Sequence, residues 1–234
     1  MLDKCEVFEL VNRRPKDHKV IKNHWVFDVK PDSHKQAHLV AEEFSQVEDL
    51  DFNQIFSIVV CYETVCLMLA LVALENWHMK AVDVQSTYLY GKLNKEIFME
   101  QPEEFKIPGS ENKVLCLKKA LYSLKQADLT WWNILNDFIK ELSFEWIKSN
   151  PGIFLYKRKG SLTVVAIVYV NDAIFYGPSK AIVDEIKGHF MRKWKCQDLS
   201  EVIEFLHMCI KHHSHKINID QHAYLDKIIE CFGL

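Results

Sequence analysis

Two runs of β-branched and aromatic residues, 162–170 and 173–176, are separated only by the polar pair Asn171-Asp172. Such residues favour strands, and Asn-Asp between apolar runs is a hairpin signal. The segment therefore predicts an antiparallel hairpin whose tip carries a carboxylate. A second hairpin is expected earlier, with strands at 24–30 and 37–41 and a polar turn through Pro31-Asp32-Ser33. Residues 63–74 are apolar almost all round and rich in helix formers, the signature of a buried helix. Further strands are expected at 77–84, 96–100, 113–117, 153–156, 203–210 and 216–219. Helical spacing runs through Leu135, Phe138, Ile139 and Leu142, another helix runs from an N-cap at Ser179 to Trp194, and a last one starts at Gln221. Strands mixed with helices make the class α+β.

Composition narrows the function. Of 234 residues, 49% are hydrophobic, enough for a buried core. The longest apolar stretch, 65–74, falls well short of the roughly 20 residues a membrane helix needs, and the start is too charged for a signal peptide. An intracellular, cytoplasmic setting and no membrane partner are expected. Seven scattered cysteines suggest neither a disulfide framework nor a zinc ribbon, and read as small buried residues. The formal net charge of -3 excludes a histone-like binder. Residues 13–22, and Lys113, Lys118, Lys119 and Lys125, supply either a local basic groove or ordinary solvated faces.

Asp83 at a strand end and Asp172 at a hairpin tip are the carboxylates that stand out. Two Mg²⁺ ions about 3.5 to 4 Å apart need acids converging from separate strands, because phosphoryl transfer is mostly positioning and charge neutralisation. Each acid alone also reads as a plain turn residue. The surrounding blocks add specificity: Trp25-Val26-Phe27; Ala37-His38-Leu39-Val40-Ala41 followed by Phe44-Ser45-Gln46; Asp83-Val84-Gln85-Ser86-Thr87-Tyr88-Leu89; Met99-Glu100-Gln101-Pro102; Leu117-Lys118-Lys119-Ala120-Leu121-Tyr122-Ser123-Leu124-Lys125-Gln126-Ala127; and Tyr169-Val170-Asn171-Asp172. In this order and spacing they resemble the reverse transcriptases of copia-type retrotransposons over nearly the whole chain.

That resemblance implies a fingers-palm architecture with an antiparallel palm sheet backed by helices, as a single domain over 1–234, fingers-like to about residue 75 and palm with a C-terminal extension from 76. It implies an RNA-directed DNA polymerase adding deoxynucleotides to a primer on an RNA or DNA template with two Mg²⁺ ions. Asp83 and Asp172 would be metal ligands, Asn171 would stand at the second catalytic aspartate, and His38, Tyr88 and Gln126 would face the nucleotide, Tyr88 beneath its sugar. Oligomeric state is left open. The end of the sequence lies near the family's reverse-transcriptase boundary, so protease, integrase and ribonuclease H are expected outside it.

Several positions depart from the family pattern. Asn171 replaces an aspartate, and a neutral amide is a poor substitute where a hard cation wants carboxylate. His38 replaces an arginine that clamps phosphate, and Glu42-Glu43 replaces Lys-Gly. Ile58 stands for proline, and Asp128-Leu129 for Pro-Arg; these are expected to touch folding more than chemistry. The expectation is an inactive or weakly active polymerase, with a non-catalytic nucleic-acid- or protein-binding remnant as the alternative. His212, His213 and His215 read as a solvated turn more than a metal tract. Trp131-Trp132 should place at least one ring in the core, and Cys61 and Cys66 read as core residues of a helix without nucleophilic work.

Overall fold

The computed structural model describes residues 6–12, 19–29, 35–55, 60–148, 150–199, 202 and 204–233. The predicted turn through 31–33 and the Ile58 position lie outside the described residues, as do residues 13–18 of the first basic cluster. In chain order come strands β1 (Phe8–Asn12), β2 (Val20–Ile21), β3 (Asn23–Val29) and β4 (Lys35–Ala41), then helix α1 (Tyr62–Glu75). Strands β5 (His78–Val84), β6 (Lys92–Met99) and β7 (Lys113–Lys119) precede helix α2 (Ala127–Glu141). Next follow β8 (Phe144–Ile147), β9 (Asn150–Arg158), β10 (Ser161–Tyr169), β11 (Asp172–Gly177) and helix α3 (Lys180–Lys193). The last elements are β12 (Cys196–Asp198), β13 (Glu204–Phe205), β14 (Met208–His213), β15 (Lys216–Asp220) and helix α4 (His222–Phe232). The chain is α+β, as its sequence implies.

Two compact units divide it: residues 1–57 with 86–137, and residues 58–85 with 138–234. The first holds a four-stranded sheet in the order β1-β7-β6-β2 and the separate β3-β4 hairpin. Its core gathers Ile21, Leu39, Ala41, Ile97, Met99, Leu115, Leu117 and Leu121. The hairpin pairs Val26 with His38 and Phe27 with Ala37.

The second unit is built on a six-stranded sheet, β12-β5-β11-β10-β9-β8. Residues Val164 to Val168 of β10 and Ala173 to Tyr176 of β11 are all buried, because both faces of these central strands are covered. On one face Val65, Leu69 and Val72 of α1 pack with Ile167, Ile174 and Tyr176. On the other, Phe190 of α3 meets Phe175 edge-on at 4.8 Å. Helix α1 stops at Asn76, which turns left-handed (φ 49°) while the amide of Trp77 donates to the carbonyl of Val72 at 3.0 Å.

Three expectations change. Helix α1 is buried on one face only, and Leu67 and Leu74 stay about 70% exposed (69% and 71%) because the sheet covers a single side. The single strand expected over 203–210 is two, since Leu206 and His207 both take positive φ and make the turn between β13 and β14. Cys61 and Cys231 are exposed free thiols at the ends of α1 and α4, where no neighbouring layer covers them. Ser179 does sit at the N-cap of α3, but its side chain makes no capping hydrogen bond. Trp131 is core at 2% exposure. Among the described residues, no helix is long and apolar enough to cross a membrane.

Candidate active site

Strands β5 and β11 run antiparallel with Asp83 and Asp172 as direct partners, so the two carboxylates singled out in the sequence start from neighbouring backbones. The two-residue turn between β10 and β11 falls one residue earlier than expected. Tyr169 pairs with Asp172, which makes Val170-Asn171 the turn and Asp172 the first residue of the strand. Val170 has φ 53°, a left-handed conformation that a β-branched residue adopts only under constraint. Constraint comes from the next residue: the carbonyl of Asn171 accepts the amide of Val84 at 2.8 Å.

The side chain of Asn171 points to the same strand end. Its Nδ2 donates to Oδ1 of Asp83 at 2.6 Å. A flipped amide would press two oxygens together at that distance, so the amide group, not the carbonyl, faces the carboxylate. On the other edge of β5, Gln197 of β12 is the partner of Asp83. The neighbouring Cys196 thiol is pushed up to about 11, first by burial and then by the negative charge of Asp83.

This donor set does not fit a pair of Mg²⁺ ions. Such ions take oxygen ligands, chiefly carboxylates. Here one of the family's acids is an amide that spends its N–H on Asp83, filling a lone-pair direction a cation would need. Asp83 and Asp172 remain side by side, and among the described residues no group of three or more His, Cys, Asp or Glu is placed to hold a metal. His212 and His213 end strand β14, paired with Ile217 and Lys216, and the His212 Nε2 lies 2.8 Å from the carbonyl of Ser214 in the β14-β15 turn.

The nucleotide-facing candidates belong to the first unit. Tyr88 lies in a short 3₁₀ turn, Thr87–Tyr90, and its hydroxyl donates to Oδ1 of Asp128 at 2.5 Å. Burial, then the hydrogen bond and charge of Asp128, push that hydroxyl far above the usual tyrosine range. Tyr122 joins Tyr88 to His38: its ring lies edge-on to both, with centroids 4.9 Å and 4.6 Å away. Gln126 hydrogen-bonds within the same unit. Its Nε2 donates to the Asp51 carbonyl at 3.1 Å and its Oε1 accepts from Gln46 at 3.1 Å, so the amide braces a loop. Of the lysine cluster, Lys118 pairs with Glu9 at 2.7 Å and Lys125 sits over the Phe52 ring at 4.9 Å. Asp128 and Tyr122 were not legible as site residues; only the departure from proline at 128 marked the position.

Comparison with known proteins agrees with the motifs. Residues 5–234 match the family described as reverse transcriptase (RNA-dependent DNA polymerase). The Pol polyprotein of transposon TNT 1-94 from Nicotiana tabacum is 30% identical over 100% of this chain and 18% of its own length. That of transposon RE1 from Arabidopsis thaliana is 26% identical over 93% of this chain and 15% of its own. The Ty1-BL Gag-Pol polyprotein of Saccharomyces cerevisiae is 26% identical over 75% and 10%. The chain thus spans less than a fifth of the length of these relatives. Among solved structures, apo telomerase from Candida tropicalis, truncated from its C-terminal domain, is 10% identical with a TM-score of 0.48, covering 93% of this chain and 58% of that one. The curated relatives that it matches are Pol polyproteins of retrotransposons, and the chain itself belongs to the reverse transcriptase (RNA-dependent DNA polymerase) family.

Proposed function

We propose that this domain keeps the reverse-transcriptase fold but extends a primer weakly or not at all. The observation that carries the reading is the Asn171 amide donating to Asp83, which puts a neutral hydrogen-bond donor where the family pattern has a metal-binding acid. Supporting it, His38 stands at the phosphate-clamping arginine with its ring packed against Tyr122, a geometry that offers no bidentate fork. Glu42 and Glu43 follow shortly after and repel phosphate. In this reading residues 1–234 act as one domain, fingers-like to about residue 75 and palm beyond, in a cytoplasmic setting. Its ancestral reaction used dNTPs, an RNA or DNA template-primer and two Mg²⁺ ions, with Asp83 and Asp172 as the surviving ligands and Tyr88 and Gln126 toward the nucleotide.

The test is primer extension on an RNA template with Mg²⁺ or Mn²⁺. The unmodified chain, Asn171→Asp, and Asn171→Asp with His38→Arg are compared against Asp83→Ala as the blank. Silence from the unmodified chain with extension by the repaired ones is the expected result. Extension by the unmodified chain above the blank overturns the proposal, and silence throughout favours a non-catalytic binding role.

A further inference from the structure

Three positions differ from the blocks of the family that the sequence resembles and are linked in the first unit through Tyr122: His38 for arginine, Asp128 for proline, and Tyr88 where the segment 83–89 meets the family's Asp-Val-Lys-Thr-Ala-Phe-Leu with a tyrosine for its phenylalanine. Tyr88 has the hydroxyl that phenylalanine lacks, and Asp128 has the acceptor that proline lacks; the two groups meet at 2.5 Å. Neither change is useful alone. A tyrosine hydroxyl in this half-buried place would be left without that partner, and an exposed aspartate at 128 without the hydroxyl would have no role in fixing the ring. The carboxylate also lies in the first turn of α2, where the exposed amides of a helix start favour negative charge and hold it in place. From Tyr88 the arrangement continues through the Tyr122 edge to the His38 ring. Tyr122 is itself fixed by its backbone, because its carbonyl accepts the amide of Ala41 from the end of β4 at 3.2 Å.

We propose that Asp128 is a positioning residue for nucleotide binding, fixing the angle of the Tyr88 ring through its hydroxyl and, by way of Tyr122, the face that His38 presents. This rests on the reading that Tyr88 and His38 face the incoming nucleotide. Asp128 touches no substrate itself. It replaces the stiffness of a proline with a hydrogen bond, so the wall of the site depends on a side-chain pair in place of backbone geometry. A phenylalanine at 88 would be held by packing alone.

The experiment uses steady-state primer extension in the Asn171→Asp chain, varying dTTP, with Asp128→Ala, Asp128→Asn, Tyr88→Phe and the Tyr88→Phe/Asp128→Ala double variant. Asp128→Ala should raise the KM for dTTP roughly tenfold, the size of one hydrogen bond to a charged group, with kcat nearly unchanged. Asp128→Asn keeps an acceptor and should recover most of the loss. The double variant should be no worse than Tyr88→Phe, because the two groups act as one unit. A merely structural aspartate would lower the amount of folded protein and the apparent kcat without moving KM. In parallel, ultraviolet titration of the unmodified chain should show a tyrosine that ionises at lower pH after Asp128→Ala and is absent after Tyr88→Phe. An active Asn171→Asp chain whose KM ignores Asp128 overturns this inference alone. Failure of both the Asn171→Asp chain and its His38→Arg derivative to extend a primer overturns the polymerase reading and this inference with it.

Discussion

Replacing Asn171 with aspartate should turn a metal-indifferent turn into a metal-dependent one. In the parent, the amide donates to a carboxylate at 2.6 Å, a charge-assisted bond that stabilises by about 1.5 to 3 kcal/mol. The substitution removes the donor and brings a second negative oxygen toward Asp83, with Asp172 already its strand partner. Two unit charges about 4 Å apart repel by about 4 kcal/mol at an effective dielectric near 20. Asn171 and Asp83 are partly exposed, so solvent and side-chain rotation remove much of this. A net loss of about 2 kcal/mol is expected without metal, or roughly 4 to 8 °C in Tm for a chain of this size.

The sign has two independent checks. Protonating one of the crowded carboxyls relieves the repulsion, so the deficit of Asn171→Asp should shrink as pH falls toward about 4. A divalent cation bound only by the folded variant should also restore stability, by about 2.7 kcal/mol at a hundredfold excess over its Kd. Thermal unfolding of both chains, with and without Mg²⁺ or Mn²⁺, reads all of this. The reasoning is refuted if Asn171→Asp without metal is as stable as the parent, or if the cation stabilises parent and variant equally.

Two further outcomes follow from the six-stranded sheet. A methyl group at Gly177 would lie 2.5 Å from the Thr163 carbonyl oxygen, a backbone atom of the adjoining strand, so Gly177→Ala should cost about 1 to 3 kcal/mol in urea unfolding; an unchanged midpoint would contradict the packing described. For Cys196, the folded thiol is raised to about 11 from a usual value near 9. The folded state therefore holds its proton longer than the unfolded chain, and stability contributed by the neutral thiol is present below pH 9 and lost as pH rises toward 11. Half exposure reduces the effect to about 1 kcal/mol, and Cys196→Ala should flatten the unfolding free energy over that window.

Much of the second unit was legible because its strands announce themselves. The central runs at 162–170 and 173–176 are apolar at nearly every position, and only a sheet covered on both faces satisfies them. Short edge strands gave no such signal: Phe8–Asn12, Val20–Ile21 and Cys196–Asp198 pair through backbone groups that any sequence offers. At the candidate site, the motif located Asp83, Asn171 and Asp172, and the structure brings all three to one end of β5 and β11. Direction was not legible. Sequence says that Asn171 is an amide but not which of its ends faces Asp83, and it gives no reason to connect residue 88 with residue 128, forty positions apart.

The manner in which the departures are accommodated bears on what the chain has been retained to do. Asn171 bonds to Asp83, Asp128 bonds to Tyr88, and His38 packs against Tyr122. Among the described residues, the buried side-chain polar atoms left without a partner are Trp25 Nε1, Trp132 Nε1 and the Tyr176 hydroxyl, none at a catalytic or nucleotide-facing position. Substitutions fixed without regard to folding would strand polar groups at about 1 to 3 kcal/mol each, a large share of the 5 to 15 kcal/mol that holds a domain together. The replaced residues instead meet neighbours that satisfy them. An amide at position 171 therefore need not have cost the domain its fold: its side chain supplies a hydrogen bond to Asp83, its carbonyl accepts the amide of Val84, and together they tie the hairpin tip to the strand beside it.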